Sequence, residues 1–315
     1  VNRLLVNDLT VEHRTQGGTV YAVAGVNLEI APGETLGLVG ESGCGKSSLA
    51  RAVTGLNPPT SGDIVIDGTR TDPRRRIALS KQIQMIFQDP FGSLNPRLTV
   101  REIVEMPLSV HRVGSRAERR VRVGELLARV GLSAELADRL PHQLSGGQRQ
   151  RVGIARALVL EPTIIVCDEP VSALDVSVQA QVLNLLVELQ LERTLSYLFI
   201  SHDLDVIRYV SHRIAVMYLG VIVETGPVED VWHHPRHPYT RALVATTQED
   251  ATEAPLTGEL PSPLSPPSGC RFRTRCPLAI DRCATTAPIL RQIDNAHLAA
   301  CHRAEEMPAF AGGAA

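Results

Sequence analysis

The sequence predicts an α/β fold, with a helical subdomain inserted into a core of strands and helices. Three observations carry this. Short apolar runs recur at 35–39, 163–167, 197–200 and 213–217, with helical periodicity between them. From about residue 99 to 160 the texture is helical throughout. The chain has 315 residues, about two ordinary domains' worth, and its 43% hydrophobic and 21% charged content suits a soluble protein with a sizeable core.

The elements follow in order. Residues 1–30 alternate as strands do, first at Leu4-Leu5-Val6 and then over 20–30. Pro32-Gly33 makes a turn into the buried strand 35–39, a glycine-rich loop follows, and 46–54 reads as a helix. Short strands are expected at 64–66 and around Gln84 to Phe87. The helical insert contains Arg116, Arg119, Arg120, Arg122 and Arg129, read as a solvated face. Residues 176–192 are helical. Residues 246–268 form a linker, because Pro255, Pro261, Pro263, Pro266 and Pro267 break sheets and helices. A cysteine-rich extension occupies 269–315, frayed over its last residues, 312–315.

Composition excludes several roles. A net charge of -2 and 3% aromatic residues argue against a nucleic-acid-binding surface. No apolar run reaches the ~18 residues of a membrane helix, and no secretory leader is expected. Of the 32 basic residues only Lys46 and Lys81 are lysines. Cys44 and Cys167 stand alone, whereas Cys270, Cys276, Cys283 and Cys301 crowd the tail.

Gly40-Glu41-Ser42-Gly43-Cys44-Gly45-Lys46-Ser47-Ser48 lies between an expected strand and an expected helix. That context gives the G-x-x-x-x-G-K-[ST] pattern its meaning. Glycines let backbone N–H groups close around phosphate oxygens at a helix N-terminus. Lys46 would hold the β- and γ-phosphates of ATP, and Ser47 would ligate Mg²⁺. The apolar run 163–167 ends in Asp168-Glu169. Asp168 is placed for Mg²⁺, and Glu169 to polarise the attacking water. Leu144-Ser145-Gly146-Gly147-Gln148 opens another helix and forms a second anion site, which makes sense if it serves a nucleotide held by another subunit.

These motifs resemble those of the ATP-binding subunits of ABC transporters, over residues 1–245, with a helical subdomain at about 91–160. The resemblance implies a P-loop core of ABC type with an added antiparallel β subdomain. It implies that Gln88 is the Q-loop glutamine sensing Mg²⁺ and water. Ser172-Ala173-Leu174-Asp175 resembles the D-loop, and His202 the switch histidine at the γ-phosphate. His13 and Tyr21 are candidates for the adenine-stacking residue, with His13 preferred. Two such domains, either copies of this chain or paralogues, would sandwich two ATP molecules head to tail.

Two further stretches are similar to dipeptide and oligopeptide permease ATPases: Phe87-Gln88-Asp89-Pro90-Phe91-Gly92-Ser93-Leu94-Asn95-Pro96, and the His/Pro-rich run from His233 to Leu243. The resemblance implies import of peptides, or of another solute such as nickel. It implies two integral membrane permease subunits met through residues 95–110, an extracytoplasmic substrate-binding protein, and a peripheral place on the cytoplasmic face of the inner membrane. A soluble ABC-type ATPase of Fe–S assembly or repair is the rival. In the tail the cysteine intervals lack the close pairs of a zinc finger, but four thiolates can hold a [4Fe–4S] cluster. A similar tail carries one in some peptide-permease ATPases. Zinc and metal-free cysteines are the alternatives.

Overall fold

Alternating small and branched side chains build two sheets. The structure, a computed structural model, describes residues 2–72, 76–247, 258–307 and 310. Pro255, the rest of 248–257 and the end at 312–315 therefore lie outside the described residues. In chain order come β1 (Leu4–Thr15), β2 (Gly18–Ile30), β3 (Thr35–Val39), α1 (Lys46–Val53), β4 (Ser61–Ile66), β5 (Thr69–Arg70), α2 (Arg76–Gln82) and β6 (Ile83–Ile86). Then follow α3 (Val100–Val110), α4 (Arg116–Arg129), α5 (Gly146–Leu158), β7 (Ile164–Asp168), α6 (Val176–Arg193), β8 (Ser196–Ile200), α7 (Leu204–Val210) and β9 (Arg213–Tyr218). The chain closes with β10 (Val221–Pro227), α8 (Val228–His233), α9 (Pro238–Ala245), α10 (Asp281–Thr285), β11 (Arg291–Asp294) and β12 (His297–Ala299).

The larger sheet runs β11-β12-β10-β9-β3-β8-β7-β6, and its strands from β9 to β6 are parallel. Because side chains alternate across a strand, it carries two cores. Leu36, Leu38, Ile164, Val166, Leu198 and Ile200 face α1 and the smaller antiparallel sheet, ordered β2-β1-β4-β5. Ile165, Cys167, Tyr197, Phe199 and Val216 face the helices on the other side. The strand expected at 4–6 continues to Thr15 because bulges absorb its broken alternation, with Asp8 at φ 47.

The helical insert is α3 to α5. Thr99 with Glu102, Ser115 with Glu118 and Ser145 with Gln148 close reciprocal capping boxes at the three helix starts. On α4, Val123, Leu126 and Leu127 turn inward. Arg122 pairs with Glu161 at 3.1 Å and Arg129 with Glu192 at 2.6 Å along its outer side.

The residues after 269 dock on the same framework. β12 pairs with β10 and β11 with β12, extending the larger sheet by two strands. Glu224 of β10 is fully buried and accepts hydrogen bonds from the backbone N–H groups of Arg236 (2.6 Å) and His237 (2.9 Å). His297 Nε2 of β12 lies 2.7 Å from the same carboxylate. Phe272 packs against Tyr218, Tyr239 and His237, with ring centroids 5.3, 5.4 and 5.6 Å apart.

His237 sits in this seam and caps α9, its Nδ1 accepting from the Tyr239 N–H at 3.0 Å. Burial pushes its pKa from the ordinary 6.5 down to about 3. A folded value below the unfolded one gives stability that is present above pH 6.5 and is lost as pH falls toward 3. His237→Asn keeps a capping acceptor that does not titrate. The melting-temperature advantage of the wild type over this variant should shrink between about pH 7.5 and about pH 5. A gap independent of pH would contradict this account of His237.

Candidate functional site

The loop between β3 and α1 passes where no side chain fits. A Cβ on Gly40 (φ +150) would lie 2.1 Å from the Met217 carbonyl oxygen, and one on Gly45 (φ +113) 2.0 Å from that of Ala22. Glycine alone can take this path. The first N–H groups of α1, at Lys46, Ser47 and Ser48, have no intrahelical acceptor and are free for an anion. Lys46 is 6% exposed, and its ammonium donates to the carbonyls of Gly40 (2.6 Å) and Glu41 (3.1 Å).

A cleft of about 340 Å³ opens above the loop. It is lined by Ser42, Gly43, Cys44, Gly45, Lys46, Ser47 and Ser48, and by Gln88 and Glu169 from across the sheet. His13 and Tyr21 also line it, from neighbouring strands of the antiparallel sheet. His13 Nε2 is 3.2 Å from Ser48 Oγ, and Tyr21 is 46% exposed. Both candidates for stacking therefore line the cleft.

Asp168 ends β7 almost fully buried, and Ser47 Oγ donates to its Oδ1 at 3.1 Å. Burial holds the Asp168 carboxyl above the usual carboxylate range, against the lowering effect of the Ser47 hydrogen bond. A hydroxyl beside a buried carboxylate is a hard-oxygen donor set that suits Mg²⁺. Glu169 follows at φ 47, an uncommon conformation for a non-glycine residue, with its N–H bonded to the Ile200 carbonyl at 2.9 Å. Gln88 Nε2 donates to Glu169 Oε2 at 2.8 Å, and His202 Nδ1 lies 3.2 Å from the same oxygen. Three residues spaced over 115 positions thus meet at one carboxylate oxygen.

Ser145, Gly146, Gly147 and Gln148 lie outside this cleft lining, at the start of α5. Asp175 caps α6, accepting from the Val178 N–H at 2.9 Å, a bond that lowers its pKa. Gly147 is pressed against the same helix: a Cβ there would come within 2.4 Å of Val178 Cγ1. Residues 145–148 therefore lie beside the start of α6, next to Asp175, and outside the lining of the loop's cleft.

Sequence reasoning missed several contributors. Leu219, Gly220 and Pro263 line the cleft, the last from the proline-rich stretch. Tyr239 Oη accepts from the Glu41 N–H at 2.8 Å, and Arg275 pairs with the Glu41 carboxylate. No spacing pattern links Glu41 to residues about 200 positions away.

All six cysteines are free thiols. Cys44 and Cys167 are buried, and burial raises the pKa of both. Cys276 and Cys301 are pushed up to about 11, by burial first and by neighbouring tail thiols to a lesser extent. The Cys270 N–H donates to the Cys283 carbonyl at 2.8 Å. The tail thiols are thus neighbours of soft-donor chemistry. Even so, among the described residues no three His, Cys, Asp or Glu side chains are disposed to hold a metal ion. The expected ligand set of Cys270, Cys276, Cys283 and Cys301 is not assembled here. No disulfide competes for them. Burial raises the Cys270, Cys276 and Cys301 thiols, and neutral thiols do not draw one another into a ligand set.

Comparison with known proteins agrees with this geometry. The family model described as ABC transporter matches residues 23–172, and that of the oligopeptide/dipeptide transporter C-terminal region matches residues 223–283. The chain is 54% identical over 285 residues to the oligopeptide transport ATP-binding protein OppF of Escherichia coli (strain K12), covering 86% of this chain and 85% of that protein. It is 50% identical over 296 residues to AppF, an oligopeptide transport ATP-binding protein of Bacillus subtilis (strain 168), covering 90% of each. Among solved structures, the dimeric post-hydrolysis ATP-binding cassette MJ0796 bound to ADP and Pi superimposes with a TM-score of 0.65 at 34% identity, over 71% of this chain and 98% of that one. The chain belongs to the ATP-binding subunits of ABC transporters, in the branch that carries the oligopeptide/dipeptide C-terminal region.

Proposed function

We propose that this subunit hydrolyses ATP to drive import of di- or oligopeptides through partner membrane subunits. The observation that carries the reading is the meeting of Gln88 and His202 on one oxygen of Glu169, at the mouth of a phosphate-sized loop. Lys46 and the amides of residues 42–48 bind the phosphates. Ser47, Asp168 and Gln88 would hold Mg²⁺, which when bound would supply neutralising charge for the phosphate oxygens. Glu169 accepts the proton of the attacking water, and His202 orients at the γ-phosphate.

Ser145, Gly146, Gly147, Gln148 and Asp175 serve the nucleotide of a second ATPase subunit, a copy or a paralogue. Their place outside this chain's own cleft supports that role. ATP then favours the closed dimer, and loss of the γ-phosphate lets it open. The chain divides into an ATPase unit to about residue 245, a linker over 246–268 and an extension from 269. Two membrane subunits and an extracytoplasmic substrate-binding protein complete the importer. Among the described residues no helix is long and apolar enough to cross a membrane. The subunit sits peripherally, on the cytoplasmic face, against the membrane subunits it drives. A [4Fe–4S] cluster or zinc in the tail rests on donor chemistry alone, four free thiols in one neighbourhood.

Glu169→Gln should retain ATP and slow phosphate release by ~10²–10⁴-fold, the scale of a lost general base. Wild-type turnover would remove Glu169 from that role. In vesicles holding the complete importer, peptide uptake should follow ATP hydrolysis; uptake of a nickel chelate without peptide would overturn the cargo assignment. Iron analysis of the same complex, purified anaerobically, should give absorbance near ~400 nm and about four irons per chain if the tail holds a cluster. A colourless complex with stoichiometric zinc would overturn the cluster.

A further inference from the structure

Glu41 belongs to the phosphate loop, yet the partners of its N–H and its carboxylate come from the far end of the chain. Its N–H donates to Tyr239 Oη at 2.8 Å. Its carboxylate is gripped in bidentate fashion by Arg275 of the cysteine-rich extension, Nη1 to Oε2 at 2.6 Å and Nη2 to Oε1 at 3.0 Å. The Arg275 side chain is 5% exposed, against 27% for Glu41. The guanidinium also lies 6.0 Å from the ring centroid of Tyr218, the last residue of β9, whose Met217 carbonyl abuts Gly40.

The chain of contact runs on into the site. The carbonyl of Glu41, together with that of Gly40, accepts from the Lys46 ammonium. Moving Glu41 therefore moves the atoms that orient Lys46. A fork-shaped guanidinium on a carboxylate fixes both distance and plane, and a nearly buried pair is screened little by salt. Packing alone does not require this: Phe272 already anchors the same segment in an aromatic cluster with Tyr218 and Tyr239.

We propose that Arg275 is a positioning residue for ATP binding, through which the cysteine-rich extension holds the phosphate loop in its binding shape. The extension is then a working part of the nucleotide site, and the geometry of residues 270–276 sets affinity for ATP. This inference rests on the assignment of residues 40–47 as the phosphate loop.

The test uses the complete importer with steady-state ATP hydrolysis. Arg275→Gln should raise KM for ATP on the order of tenfold and leave kcat within about twofold, as expected where a group orders the binding loop but touches no reacting atom. Arg275→Lys should recover part of the loss, because it restores charge without the fork. Glu41→Gln should match Arg275→Gln, and the double variant should be no worse than either. If Arg275→Gln does not assemble, Glu41→Gln and Arg275→Lys still read the pair from its two ends. An unchanged KM in the variants that assemble, or additive effects in the double variant, would overturn the proposal. Lys46→Ala separates this from the underlying assignment. Lost ATP affinity there with normal KM in Arg275→Gln overturns only the coupling, whereas retained affinity in Lys46→Ala removes the phosphate loop itself.

Discussion

The structure is organised around a turn in which no side chain can be accommodated at two points. A Cβ on Gly40 would lie 2.1 Å from the Met217 carbonyl oxygen, and one on Gly45 2.0 Å from that of Ala22. Those carbonyls belong to β9 in the larger sheet and to β2 in the smaller one. The loop can therefore keep its shape only if both sheets keep their places. The Gly220 N–H bonded to the Cys44 carbonyl at 2.8 Å adds a further tie from the β9–β10 turn. The antiparallel sheet is in this sense a wall of the phosphate site, and its core with α1 holds that wall in register.

A second constraint is placement at strand ends. β7 and β8 are parallel neighbours, so Asp168 and Ile200 end side by side and Glu169 and His202 emerge on the same rim. β6 lies beside β7 on the other edge, which brings Gln88 to the same oxygen. The acidic, amide and imidazole groups converge because the sheet is parallel there. The helical insert places residues 145–148 outside the lining of that cleft, which fits their proposed service to a second subunit.

Much of this was legible from residue order. The strands around 35–39, 163–167, 197–200 and 213–217 announced themselves as continuous apolar runs, since both faces are buried. Gly40 to Ser48 and Asp168-Glu169 were legible because local chemistry fixes their spacing. The length of β1 was not, because its bulges break the alternation that marks a strand. β11 and β12 were obscured by the neighbouring cysteines and prolines, and their short edge strands carry only a weak pattern. Tyr239, Pro263 and Arg275 could not be foreseen: their roles depend on long-range packing that leaves no local period. The four tail cysteines show the opposite failure, a suggestive pattern whose thiols the fold brings near one another without arranging them as ligands.

On this reading the backbone amides of the loop, held by both sheets and by the C-terminal residues, receive the phosphates of ATP. Hydrogen exchange on the full-length subunit measures those amides directly. Saturating ATP with Mg²⁺ should slow exchange over residues 42–48 more than over the outer face of α4. Unchanged exchange at 42–48 under saturation, with protection elsewhere, would contradict the account.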